Sequence, residues 1–264
     1  MPADGGQLIF EKAEGEAFLE RWPEAAPFVQ KYSGSRELMR GTYRYCLWLE
    51  ERDRHIWEAI APLAARVEAC RAFRLKSVKS GSSYKAADMP WRFQQPASEA
   101  PNPSSALVVP AVTSERRPYV PVGFVDSSYI ISDSAFMLPE AGFYDLGILS
   151  SGMHNCWLRL TCGRLKSDCR CSRDLVCNTF IWPRPSNARR AEIAAPARKV
   201  LLLRERHYDV EPGTLYNPEN LPEDLGAAHR ELDGAVERAC RPEPFATDEE
   251  RTAFMLELYA RAVS

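Results

Sequence analysis

The chain changes character at Asn178–Pro185 (NTFIWPRP), and that change does most to limit what it can fold into. Beyond it, residues 188–205, 221–241 and 247–262 carry apolar side chains at helical spacing, separated by loops containing Pro and Gly. They predict three helices. Thr247-Asp248-Glu249-Glu250 is a capping box ahead of the last one. Before the change, most apolar runs are short. Tyr43, Tyr45, Leu47 and Leu49 alternate with Arg44, Cys46 and Trp48, as on a strand. ALVVPAVTSERRPYVPVGF (106–124) reads as two short strands around a basic turn, and YIISDSAFML (129–138) as another strand.

Helices occur in this first part too. One is expected within residues 14–30, stopped by Pro23 and Pro27. A second, over 54–73, places Ile56, Ile60, Leu63, Val67 and Cys70 on one face, with Pro62 expected to kink or divide it. A third is predicted over about 143–161 from the spacing of Leu146, Leu149, Met153, Trp157 and Leu160. Residues 74–105 read as a long loop rich in Lys, Ser and Pro, either disordered or a functional surface loop, with Trp91 and Phe93 expected to pin it to the core and contact with DNA as the lesser alternative. The fold class is therefore mixed α+β. An N-terminal helix and linker (1–30) leads to an α/β domain (31–185) and a small C-terminal helical domain (186–264).

The net charge of −2 hides a segregation. It is −4 over residues 1–30, +6 over 31–125, −4 over 126–158, +8 over 159–206 and −8 over 207–264. Two basic blocks in a nearly neutral chain suit a surface that meets a polyanion, although solvated faces would give the same pattern. The richest stretch, 113–183, is dense in Arg, Lys, Ser, Asn and aromatics. The N-terminus has no basic segment followed by an apolar one, and no run is long and apolar enough to span a membrane. The expected compartment is the cytoplasm.

Five of eight cysteines, Cys156, Cys162, Cys169, Cys171 and Cys177, fall within 22 residues. Without a secretion signal they are expected to be reduced thiols. Zinc, with His154 nearby, is the lesser alternative, because the spacing contains no C-x-x-C knuckle. Catalytic motifs are absent: there is no G-x-G-x-x-G, no P-loop, and no Asn-Pro-Pro-aromatic tetrapeptide of the amino-methyltransferases at Asn102-Pro103 or Asn217-Pro218. Ser150-Ser151-Gly152 lacks the leading glycine of a nucleophile elbow. His55, His154, His207 and His229 are scattered and are expected to be packed or exposed residues, not bases.

Four blocks in order, YSGSRELMRGTYRYCLWL (32–49), SERRPYVPVGF (114–124), ILSSGMHNCWLRLTCGRLKSDCRCS (148–172) and NTFIWP (178–183), resemble the target recognition domain and C-terminal helical part of MmeI-like (type IIL) restriction-modification enzymes. The resemblance covers roughly residues 14–260. Ile181 stands where that family usually has proline, and Cys169 and Cys171 where it tends to have tyrosine, which weakens the zinc reading further. In such enzymes one DNA-reading domain serves a nuclease and an S-adenosylmethionine-dependent adenine methyltransferase, and both catalytic parts lie upstream. The chain is accordingly expected to be an excised fragment or truncated reading frame that neither binds S-adenosylmethionine nor methylates. Its expected partners are double-stranded DNA and the methyltransferase domain.

Lys166 and Asp168 lie two apart in GRLKSDCRCS. In an extended segment they would project to one side, where Lys donates to guanine O6 and N7 and Asp accepts from the paired cytosine N4. The resemblance implies that this pair sets one base of the site, and that Lys with Asp reads guanine. Arg170 is the next residue on that side. Ser132, Asp133 and Ser134 fall in the other segment where the family places base contacts. Arg116 and Arg117, with Arg36, Lys76, Lys79, Lys85 and Arg164, are expected to clamp phosphates, supplying affinity and register. The acidic C-terminal part should face away from DNA and brace the recognition domain or the methyltransferase. The competing readings are an interaction scaffold without DNA affinity of its own, and a self-contained enzyme built on the Cys-rich segment with His154.

Overall fold

The structure, a computed structural model, describes residues 3–94 and 105–264. It is mixed α+β and divides into two compact units, one of Met1–Glu37, Thr42–Asn102 and Asp126–Asp133, the other of Leu38–Gly41, Pro103–Val125 and Ser134–Ser264. The second unit spans residue 185: segments on both sides of the NTFIWP change share its core. Among the described residues no helix is long and apolar enough to cross a membrane.

The first unit is built on a four-stranded sheet in the order Ile9–Phe10, Arg44–Leu47, Val29–Ser33, Tyr129–Ile131. The first three strands pair antiparallel, with Val29 opposite Leu47 and Ile9 opposite Cys46, whereas Tyr129–Ile131 runs parallel to Val29–Ser33. Leu8, Phe10, Phe28, Leu47, Trp57, Leu63, Val67 and Trp91 form its main apolar cluster. The helix expected over 54–73 is divided, as Pro62 allowed, into Arg54–Trp57 and Ala61–Leu75: Pro62 sits in the first turn of the second piece, where its missing N–H has no intrahelical partner to lose.

The stretch expected to be a long loop is organised as far as Gln94, with short helical turns at Ser82–Lys85 and Ala86–Asp88. Arg74 explains this order. Its side chain is fully buried, and its guanidinium donates to the carbonyls of Ala3 (2.8 Å), Ala86 (2.8 Å), Met89 (3.1 Å) and Arg92 (2.8 Å). Trp91 is buried 5.9 Å from Trp57, and Phe93 stacks on Tyr32 and Trp48, so both aromatics pin this stretch as expected. The remainder of that expectation, residues 95–104, lies outside the described residues.

The second unit contains two three-stranded sheets and the longer helices. One sheet has the order Gly123–Asp126, Ser105–Pro110, Ala135–Pro139; the other Val112–Thr113, Asp168–Arg170, Gly163–Leu165. The segment read as one strand over 129–138 is thus two, Tyr129–Ile131 and Ala135–Pro139. The helix predicted over 143–161 is likewise two, Phe143–Leu149 and Gly152–Thr161. Ser151 stops the first and caps the second: its Oγ donates to Ile148 O (2.7 Å) and accepts from His154 N (3.3 Å). The three C-terminal helices run Asn187–Glu205, Glu223–Cys240 and Asp248–Val263. Thr247 Oγ1 caps the last by accepting from Glu250 N.

One core joins the sheets to these helices: Leu107, Val120, Ile148 and Trp157 lie in the same cluster as Ile193, Ala197, Leu232 and Val236. Gly147 allows the closest approach. A Cβ there would fall 2.6 Å from Ile193 Cγ2 and 3.2 Å from Leu232 Cδ1.

Candidate nucleic-acid interface

The antiparallel strands Gly163–Leu165 and Asp168–Arg170 form a hairpin joined by the two-residue turn Lys166-Ser167, with Leu165 opposite Asp168. Lys166 has φ +56°, the left-handed conformation that primed hairpin turns need at their first central residue. The sequence placed Lys166 and Asp168 on one side by strand alternation. Lys166 instead lies in the turn, and Asp168 opens the returning strand, so both belong to the hairpin tip. Alternation does hold for Asp168 and Arg170, on one face, and for Cys169, which points the other way into the core. Lys166 and Arg170 are exposed and Asp168 is half-buried. Neither Lys166 nor Arg170 has an intramolecular side-chain partner among the described residues.

Arg164 is exposed and straps the hairpin, its guanidinium donating to Glu115 Oε2 (2.7 Å) and Ser167 O (3.3 Å). Across the sheet, Cys169 pairs with Thr113 and Arg170 with Val112. The basic turn Ser114–Pro118 follows directly. Arg116 is exposed and pairs with Glu219 (3.1 Å). Arg117 is not: it is half-buried, and donates from Nε to Gly213 O (3.1 Å) and from Nη1 to Thr113 Oγ1 (3.5 Å). Burial pushes its pKa down, while the nearby negative charge of Asp168 pushes it up. Two of the five guanidinium N–H donors of Arg117 are thus engaged within the chain.

Ser134 is brought to this sheet by backbone bonds: Ala111 N donates to Ser134 O (3.0 Å), and Cys171 N donates to Ala111 O (2.8 Å). Ser132 is placed differently. It is buried at the sheet of the first unit, where its N donates to Ser33 O (2.8 Å) and its side chain bonds to the Tyr32 phenol. Ser132 is thus buried, while Asp133 and Ser134 are exposed.

Arg36, Lys76, Lys79 and Lys85 belong to the first unit, and all four are exposed. Lys76 follows the C-terminal end of the helix Ala61–Leu75, and Lys85 ends the short helix that Arg74 helps to hold.

All eight cysteines are free thiols. Burial pushes Cys171 up to about 12 and Cys169 up to about 11, the opposite of what a nucleophile or metal ligand requires. Among the described residues no group of three or more His, Cys, Asp or Glu is placed to hold a metal ion. His154 and His229 are buried and pushed down to about 4 and about 3, chiefly by burial.

Sequence reasoning missed the residues that hold the basic turn. Asn155 Nδ2 donates to Pro118 O (3.0 Å) and Arg159 Nη2 to Arg117 O (2.8 Å), both from the helix Gly152–Thr161. The signal was weak: polar residues on an amphipathic helix usually mark a solvated face.

The family model described as MmeI, target recognition domain, matches residues 1–184, and that described as MmeI, C-terminal domain, matches 185–264. DNA methyltransferase A of Bacillus subtilis (strain 168) is 40% identical over 262 residues, covering 98% of this chain and 29% of that protein. A solved structure of the type IIL restriction-modification enzyme MmeI in complex with DNA superposes with a TM-score of 0.90 at 32% identity, covering 99% of this chain and 34% of that one. The chain spans about a third of the length of these relatives.

Proposed function

The chain belongs to the MmeI family, through its target recognition and C-terminal domains, and from that premise we propose that it is the sequence-specific double-stranded DNA recognition module of a type II restriction-modification DNA adenine methyltransferase. It holds a duplex site so that a separate methyltransferase domain, which binds S-adenosylmethionine, can flip and methylate an adenine. Both DNA and that domain are its partners, in the cytoplasm. The solved relative was captured with DNA, which supports the reading.

The observation that carries the proposal is the hairpin Gly163–Arg170. A two-stranded ribbon fits the major groove, about 12 Å wide. This one carries Lys166, Asp168 and Arg170 at its tip and on one face, with Lys166 and Arg170 exposed. Lys166 donates to guanine O6 and N7 and Asp168 accepts from the cytosine N4 of the same pair. Arg170 reaches the neighbouring base pair, with Asp133 and Ser134 as further base contacts.

Arg116, Arg164, Arg36, Lys76, Lys79 and Lys85 bind phosphates. The pairs Arg116–Glu219 and Arg164–Glu115 are exposed at both partners, and such pairs contribute about 0–1 kcal/mol. They hold the arginines in place, yet yield to a phosphate whose capture also releases condensed counterions.

The test is titration of a mixed-sequence duplex at increasing salt. Log affinity is expected to fall linearly with log salt, at about 0.9 per phosphate neutralised. An affinity that salt does not change, or no binding at 50 mM salt, would favour an interaction scaffold instead.

A further inference from the structure

Within the first unit, two lysines and three tyrosines gather around one ring. Lys31 stands between Tyr45 and Tyr129, its register partners on the two flanking strands, and such cross-strand neighbours share a face of the sheet. The Lys31 ammonium lies 5.2 Å from the ring centroid of Tyr129 and 5.2 Å from that of Tyr43, both within the reach of a cation–π contact. Tyr43 packs edge-on against Tyr45 (5.4 Å) and Tyr129 (6.1 Å). A second ammonium comes from the helix Lys12–Arg21, which lies so close on this face that a Cβ at Gly15 would collide with the Tyr45 ring. Lys12, three residues before Gly15 and on the same side of the helix, holds its ammonium 4.8 Å from the Tyr43 centroid.

Two like charges converging on one ring repel each other, and little within the chain offsets them. Lys12 meets Glu16 only at 4.0 Å, with both side chains about half exposed. Among the described residues Lys31 makes no ion pair. The nearby Asp126 carboxylate is engaged by its own turn, where it accepts from the N and Oγ of Ser128. Lys12 is exposed, and Lys31, Tyr43 and Tyr129 are half-buried, so the ammonium groups are held yet reachable from solvent. Tyr129 also opens the strand that leads to Asp133, four residues on, a rise of about 13 Å in a parallel strand. A duplex advances about 3.4 Å per nucleotide of each strand, so a phosphate at Lys31 would lie within about four base pairs of a base at Asp133.

We propose that Lys12 and Lys31, held on the rings of Tyr43 and Tyr129, form a further binding site for a phosphate of the DNA backbone. This rests on the reading of the chain as a DNA recognition module, and it brings the segment expected to be a mere N-terminal helix and linker into contact with DNA. The phosphate supplies the counter-charge that the two ammonium groups lack. The rings restrict the lysine stems before DNA arrives, which lowers the ordering cost of binding. A contact of this kind adds affinity and fixes register without reading sequence.

The experiment measures the salt dependence of duplex binding for wild type, Lys12→Gln, Lys31→Gln, the double variant, Lys31→Arg and Lys199→Gln, with thermal unfolding recorded for each. Each single Gln variant is expected to make the slope of log affinity against log salt shallower by about 0.9, and the double variant by about 1.8. Preference among sequences should not change, and Lys31→Arg should keep the wild-type slope. Lys199 already pairs with Glu231 at 2.6 Å, so its loss should leave the slope as it was. An unchanged slope in the double variant overturns the proposal, whether or not stability falls, because the lysines then only brace the tyrosines. An equal shift in Lys199→Gln overturns it too, since net charge alone would explain the effect. If the wild type shows no salt-dependent binding, the DNA reading itself fails and this proposal falls with it.

Discussion

Tyr119 donates its phenol hydrogen to Asp233 Oδ2 at 2.7 Å, while Gly152 N, at the start of a helix, donates to Asp233 Oδ1 at 2.7 Å. The Tyr119 ring also stacks on His229 with centroids 4.0 Å apart, and His229 Nε2 meets the Tyr216 hydroxyl at 3.0 Å. Two residues after Arg117, the chain is therefore anchored in a buried polar cluster.

That cluster gives stability a pH dependence with opposing parts. Burial pushes Asp233 up to about 6, against its two hydrogen bonds. Its ionisation therefore costs stability as pH rises from its unfolded value near 4 to about 6. His154 and His229 are pushed down to about 4 and about 3, so their contribution is present above about 6.5 and lost as pH falls. Between about pH 4 and 6 the unfolded chain binds two more protons at the histidines and one fewer at Asp233. From these groups stability should rise with pH by about 1.4 kcal/mol per unit. In denaturant titrations across this range, Asp233→Asn should roughly double that slope relative to wild type, and His229→Gln should bring it close to zero. Equal slopes in all three proteins would refute the assignment.

Gly147 is expected to be intolerant of even one methyl group. A Cβ at 2.6 Å from Ile193 Cγ2, with Leu232 and Ala197 also close, forces apart helices that share one core. Gly147→Ala should destabilise by about 1–3 kcal/mol, read as a lower denaturation midpoint. A gain in stability, as Gly→Ala gives in an open helix, would contradict the packing described.

Arg74→Met should unfasten the segment 82–94 by leaving three of its carbonyls, and that of Ala3, without their donor. Losing the donor of buried acceptors costs about 1–3 kcal/mol each. Hydrogen exchange should quicken at 82–94, while the amides of 187–205 stay protected. Unchanged exchange at 82–94 would mean that the aromatic contacts alone hold the segment.

Lys166→Ala and Arg116→Ala should fail in different ways. Lys166→Ala should weaken binding to the cognate site by about 1–3 kcal/mol and relax preference at one base pair. Alanine is chosen because glycine would also relieve the left-handed backbone at this position. Arg116→Ala should weaken binding to all duplexes alike and make the salt slope shallower by about one contact. Uniform loss for the first, or a changed base preference for the second, would reverse the roles. Competition binding on paired duplexes at two salt concentrations separates them.

The periodic parts of the fold were legible because they follow local rules. Apolar spacing located the helices Asn187–Glu205, Glu223–Cys240 and Asp248–Val263 to within two residues at each end, and a capping box marked the start of the last. The break at Ser150-Ser151 was missed because periodicity was weighed above the capping chemistry of a Ser three residues before His154. The turn at Lys166 was missed because no Gly, Asn or Asp marks it. Arg74, Arg117 and Ser132 share another cause. Whether a polar residue is a surface contact or an internal brace depends on partners far along the chain, such as Gly213 for Arg117, and one sequence does not reveal those pairings.

The hairpin that carries Lys166 and Asp168 is proposed to read DNA sequence. Selection from a random duplex library at low salt, using this chain and its Lys166→Ala/Asp168→Ala variant, tests it most directly. The chain is expected to enrich one short motif with a fixed G·C pair, and the variant the same motif with that pair randomised. Retention without enrichment, or a motif that the variant leaves unchanged, would contradict it.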